Sequence, residues 1–120
     1  MTLLSKDQIL GKDDRAHKDV EVPEWDGSIR LQAMSARERD SYEAEAYLAN
    51  KEGGVKAFEN LRARLVAKCA VDDNGELVFK NPADVRAVGN QSAAVINRLF
   101  DVCRSLNGLS ASDVEELEKN

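Results

Sequence analysis

At 120 residues the chain has the length of one domain and too little material for two well-buried ones. Leu, Ile, Val and Phe make up 29 of those residues, above the roughly 20% level below which chains fail to form a core. With 17 basic against 22 acidic residues the net charge is −5, which argues against a general phosphate-backbone binder, and no run nears the roughly 18 apolar residues of a membrane span.

The opening MTLLSKDQIL lacks a basic region followed by an apolar one, so no export signal is expected. Ser5 with Gln8 three residues on forms a capping box for one short helix that Gly11 stops. Lys12, Arg15 and Lys18 then balance Asp13, Asp14 and Asp19 in a stretch with almost nothing to bury. Residues 1–19 therefore read as a flexible N-terminal arm. His17, the one histidine, stands among these charges with no second strong ligand beside it, so no metal site is expected there.

Residues 20–34 carry the β signal, with Val20-Glu21-Val22 and Ile29-Arg30-Leu31-Gln32-Ala33 both alternating. Asp26-Gly27 between them is type I′ turn chemistry. A two-residue loop there places Trp25 opposite Ser28, Val22 opposite Leu31 and Val20 opposite Ala33, with the apolar pairs on one face. Pro23 removes a ladder donor and suits an edge strand. A lone hairpin is marginal in water, so its apolar face needs a helix or another chain as cover.

Ser35 and Glu38 form a second capping box, starting a polar helix to about Asn50 with a thin stripe of Tyr42, Ala46 and Ala49. The next helix, about 55–69, is better amphipathic, with Phe58, Leu61, Leu65 and Cys69 in register and Arg62, Arg64 and Lys68 on its other side. Residues 70–79 read as a second hairpin, or as a tight turn with one short strand, around Asn74-Gly75. Their acidic cluster does not fit a calcium loop, because Gly75 at the sixth position would put Ala70 at the first. Asn81 caps a short helix with Pro82 at its first position and Asp84 in its first turn, ended by Gly89. The helix from about 91 to 107 is the strongest: Val95, Leu99, Val102 and Leu106 line one stripe, Ile96, Phe100 and Cys103 widen it, and Asn107-Gly108 ends it. Ser110 or Ser112 then caps a short acidic tail helix bearing Val114 and Leu117, which docks on the domain, contacts another chain or frays.

Cys69 and Cys103, 34 positions apart and both in apolar stretches, read as buried reduced thiols, consistent with a cytoplasmic protein. No phosphate loop, nucleophile elbow or zinc signature is present, so neither an enzyme nor a cofactor is expected. The predicted fold is α+β and mainly helical, with the N-terminal β-hairpin packed against a small helical bundle. Its domain spans 20–109, with the arm before it and the acidic tail at 110–120.

Several segments taken in order carry a resemblance: LSKDQIL, VEVPEWDGSIRLQAMSARERDSYE, NLRARLVAKCAVDDNGELVF, and SAAVINRLFDVCRSLNGLSASDVEELEKN. Over about residues 3–120 the chain resembles the tail assembly chaperones of long-tailed bacteriophages. The resemblance implies a protein of the host cytoplasm that binds the tape measure protein and keeps it soluble while tail-tube subunits polymerise around it. It also implies departure before the virion matures, self-association into rings or spirals, contact with the tail-tube protein as a further partner, and a longer form made by ribosomal frameshift. No membrane or nucleic-acid partner belongs to this reading. The groove-forming candidates for partner binding are Phe58, Leu61, Leu65, Leu99, Phe100, Val102 and Leu106, and an equal account makes these seven the monomer's own core. The alternative function is a structural virion component, such as a small tail or head–tail connector subunit. A nucleic-acid regulator using Arg62, Arg64 and Lys68 is opposed by the acidic total.

Overall fold

Ser5 and Ser35 each accept a hydrogen bond from the backbone N–H three residues on, and Gln8 and Glu38 reach back to the cap N–H groups. These reciprocal boxes start α1 (Lys6–Leu10) and α2 (Ala36–Glu52) at the positions expected from sequence. The computed structural model describes residues 2–53 and 60–109. Its further elements are β1 (His17–Val22), β2 (Gly27–Gln32), α3 (Leu61–Cys69), β3 (Ala70–Val71), α4 (Pro82–Gly89) and α5 (Ala93–Leu106). The architecture is α+β and mainly helical, with the hairpin packed against the helices.

The sheet has the order β1-β2-β3, antiparallel throughout, so β2 is central. Its register corrects the expected one: Val20 pairs with Ile29 and Val22 with Gly27, not with Ala33 and Leu31. The displacement is an even number of residues, so Val20, Val22, Ile29 and Leu31 still share the core face. The cause is the turn. Pro23 fixes its own φ and has no N–H to donate, so Pro23–Trp25 leaves the ladder as a 3₁₀ turn. Asp26 follows with φ 55°, and its N–H closes the turn on the Pro23 carbonyl at 3.1 Å. The loop is therefore four residues long, and Trp25 is released from the ladder position opposite Ser28. On the solvent face Asp19 and Arg30, direct cross-strand partners, form a two-pronged ion pair at 2.7 and 3.0 Å.

Residues 70–79 turn at Asn74-Gly75, with β3 as the short strand and a single antiparallel bridge from Val71 to Leu77 closing the segment on itself. Asp72 Oδ1 accepts from the N–H groups of Asn74 and Glu76, and Gly75 takes φ 79°. Ala70 and Val71 add a third strand to β2 beside Leu31 and Arg30, which sequence reasoning did not anticipate.

The core sits between this sheet and the helices, and α3 is at its centre. Six of its nine residues are buried: Leu61, Ala63, Leu65, Val66, Ala67 and Cys69. On α5 the buried set is Val95, Ile96, Leu99, Phe100 and Cys103. Asn60 precedes α3 with φ 61°, a geometry asparagine tolerates, so α3 starts at Leu61; the earlier part of the helix expected over 55–69 lies outside the described residues. Its side chain lies against Gly89, where any Cβ would collide with the amide oxygen, and that close approach seats α4 on α3. Asn107 joins three elements: Oδ1 accepts from the Met34 N–H at 2.9 Å, and Nδ2 donates to the Cys103 carbonyl and the Cys69 sulfur.

This distribution sets an expected contrast in urea unfolding. Leu99→Ala, in a fully buried position, costs about 2–5 kcal/mol through lost burial and a cavity. Leu48→Ala, on the exposed side of α2, stays within about 0.5 kcal/mol of the parent chain. Similar losses at both positions would contradict the placement of the core.

Candidate functional site

Turn geometry and helix spacing meet at the hairpin tip. The 3₁₀ turn points Glu24 at α5, where the Arg98 guanidinium donates to both carboxylate oxygens at 3.1 and 2.6 Å. This fork joins residues 74 apart in sequence. Hydrogen bonding to Arg98 holds the Glu24 carboxyl down to about 2, against an ordinary value of 4.5. Trp25, next in the chain, is thereby kept over the junction of the sheet with α4 and α5.

An apolar groove of about 320 Å³ opens beneath it, walled by Trp25, Ile29, Phe79, Val88, Ile96 and Leu99. Trp25 is 39% exposed and Phe79 is half-buried, so the groove can be reached from solvent. A second cleft of about 420 Å³, which Phe79 also lines, lies between α3 and the start of α4, and its charged residues are Arg64, Lys68, Lys80 and Arg86 against Glu45. Further apolar surface is exposed at Leu3, Leu4, Ile9 and Leu10 around α1, which buries no side chain.

The seven partner-binding candidates fall into three groups. Leu61, Leu65, Leu99 and Phe100 are buried in the core cluster. Val102 and Leu106 are half-buried at its edge. Phe58 lies outside the described residues, as does the acidic tail with Val114 and Leu117. The groove borrows only Leu99 from this set; its other walls come from the hairpin, Val66 of α3, the end of the turn after β3, α4 and Ile96 of α5. Trp25 was missed because a two-residue turn placed it in the ladder. Its nearness to Pro23, which ends strands, was the available signal.

Around Phe100 the Arg62 and Arg104 guanidinium carbons stand 5.7 and 5.9 Å from the ring centroid. Arg104 also pairs with Asp101 at 3.0 Å, so it belongs to the packing of α5 rather than to a free rim. Cys69 and Cys103 are buried thiols, as expected from their apolar surroundings. The hydrogen bond with Cys69 and burial together push the Cys103 thiol far above its ordinary value, which keeps it protonated. Among the described residues no group of three His, Cys, Asp or Glu side chains is placed to hold a metal ion, and no helix is long and apolar enough to cross a membrane.

Fold and clefts together define a small, mainly helical α+β domain whose distinctive surface is an apolar groove beside a basic cleft. Among solved structures the chain is similar to the tail assembly chaperone of bacteriophage HK97, with a TM-score of 0.55 and 26% sequence identity, over 77% of this chain and 85% of that one. This agrees with the resemblance carried by the sequence segments and supports a role in phage tail assembly in general terms. No protein-family profile and no curated protein matches the chain.

The Glu24–Arg98 fork has a defined pH signature. A carboxyl depressed on folding stabilises the native state fully above its unfolded value near 4.5, and that contribution is lost as the pH falls through about 2. The Tm difference between the parent chain and Glu24→Gln is therefore constant above about pH 5 and narrows from there towards pH 2. A difference independent of pH over that range would show that the fork does not hold the hairpin tip.

Proposed function

We propose that this chain is a phage tail assembly chaperone that binds the tape measure protein and keeps it soluble while tail-tube subunits assemble around it. It works without ATP in the host cytoplasm, self-associates, and leaves before the virion matures. The observation that carries the reading is the similarity to the HK97 tail assembly chaperone over most of both chains. The reading is further supported by an apolar groove open to solvent on a chain whose net charge of −5 favours its own solubility.

The client is a helix with an apolar stripe, seated with one or two of its side chains in the groove under Trp25. A cavity of about 320 Å³ accommodates side chains of that size, not a whole helix. Val102 and Leu106 extend the contact along the edge of α5. Leu61, Leu65, Leu99 and Phe100 act from beneath, by fixing the groove walls, and Phe58 completes the candidate set.

Co-expression with the tape measure protein tests this directly. The client becomes soluble only with this chain and co-purifies with it, and Trp25→Lys lowers the recovered complex about tenfold while far-UV CD is unchanged. A client that stays insoluble, or that is soluble alone, contradicts the chaperone reading. Abundant copies in purified mature particles would transfer the role to a structural virion component.

A further inference from the structure

Two apolar surfaces of this chain lie open and match in size. The capping box at Ser5 sets α1 as a formed turn of helix, yet α1 buries no side chain, and Ile9 and Leu10 stand 55% and 73% exposed at its end. The groove beneath Trp25, about 320 Å³ and lined mainly by aromatic and aliphatic side chains, has room for one or two side chains of that kind. The charges around the two surfaces are complementary as well. Lys6, one turn before Ile9 and Leu10, and Lys12, just beyond them, are exposed and enter no ion pair among the described residues. Beside Trp25 the hairpin carries Glu21, Glu24 and Asp26. Arg98 takes Glu24, while Glu21 and Asp26 are exposed and enter no ion pair among the described residues.

The arm does not bring these side chains to its own groove. Ala16 accepts the Ala33 N–H at 2.8 Å and Arg15 pairs with Glu38 at 3.4 Å, so the arm leaves the sheet beside the start of α2, at the end of β1 opposite the hairpin tip. At about 3.3 Å per residue, the strand from Ala16 to Val22 puts that tip about 20 Å away. Leu10 precedes Arg15 by about 17 Å of fully extended chain, and that tether would have to double back along the strand. We propose that Ile9 and Leu10 of one molecule enter the groove beneath Trp25 of a second copy, with Lys6 and Lys12 against its Glu21 and Asp26. Each chain donates one arm and offers one groove, so the contact runs head to tail and adds further copies in turn. It gives the proposed self-association a route, rests on that part of the functional reading, and sets self-association against client capture, since both fill one groove.

Sedimentation of the purified full chain, followed together with iodide quenching of Trp25, tests the contact with no client present. Over about a 100-fold rise in concentration the mean mass increases and the quenching constant falls about threefold, both along one curve. Ile9→Gln with Leu10→Gln keeps helix-forming residues in α1, so far-UV CD is unchanged, and this chain stays monomeric with Trp25 accessible throughout. Trp25→Lys, which keeps the arm and blocks the groove, is likewise monomeric. Mixing the two variants restores association, but only as a heterodimer, in which the single tryptophan present is shielded. A parent chain that is monomeric at every concentration removes self-association and the contact together. Association that persists in both variants, or a mixture that stays monomeric, overturns the contact alone. So does a Trp25 already shielded at the lowest concentration and released by Ile9→Gln with Leu10→Gln, which would place the arm within its own molecule.

Discussion

The structure depends on burying α3. A nine-residue helix with six buried positions cannot rest on one neighbour, so its surroundings have to be assembled from every part of the chain. The apolar face of α5 covers one side, the core face of the hairpin another, and α4 a third through the close approach at Gly89. The half-buried Lys68–Glu45 pair ties α2 to the remaining side. Asn107 then closes the arrangement by satisfying the Met34 N–H and its own helix end with one side chain. Such a core leaves little of the amphipathic stripes for other partners.

That consumption decides where a client can bind. The widest apolar face in the sequence, on α5, faces inward at Val95, Ile96, Leu99, Phe100 and Cys103. Solvent-accessible apolar surface survives where elements meet imperfectly: at the groove beneath Trp25, along the edge formed by Val102 and Leu106, and around α1. The hairpin tip beside the groove is joined to α5 by the Glu24–Arg98 pair. Phe79 lines both this apolar groove and the basic cleft. Two neighbouring surfaces of different chemistry thus share one aromatic wall.

Local chemistry was legible in the sequence. The two capping boxes, the Asn81 cap with Pro82 behind it, the Asn74-Gly75 turn and the Asn107-Gly108 stop act over three or four residues, and each appears where its residues predict. The alternation of Val20, Val22, Ile29 and Leu31 also set the correct face of the hairpin. Register was misplaced because Asp26-Gly27 suggests a two-residue turn, whereas Pro23, three residues before, takes Pro23–Trp25 out of the ladder as a 3₁₀ turn. The third strand, the Asn60–Gly89 approach and the basic cleft escaped for a different reason. Each depends on segments that meet only after α3 is buried. Spacing marked Leu61, Leu65, Leu99 and Phe100 as apolar and in register, yet periodicity is the same for a core face and for an interface.

Trp25, the one tryptophan, reports whether the client enters the groove beneath it. Its fluorescence should be recorded on the folded chain as a soluble helical fragment of the tape measure protein is titrated in. A client seated in the groove produces a blue shift and protection from iodide quenching that saturate together with complex formation. Complex formation with an unchanged Trp25 spectrum and unchanged quenching would place the client elsewhere and contradict that seating.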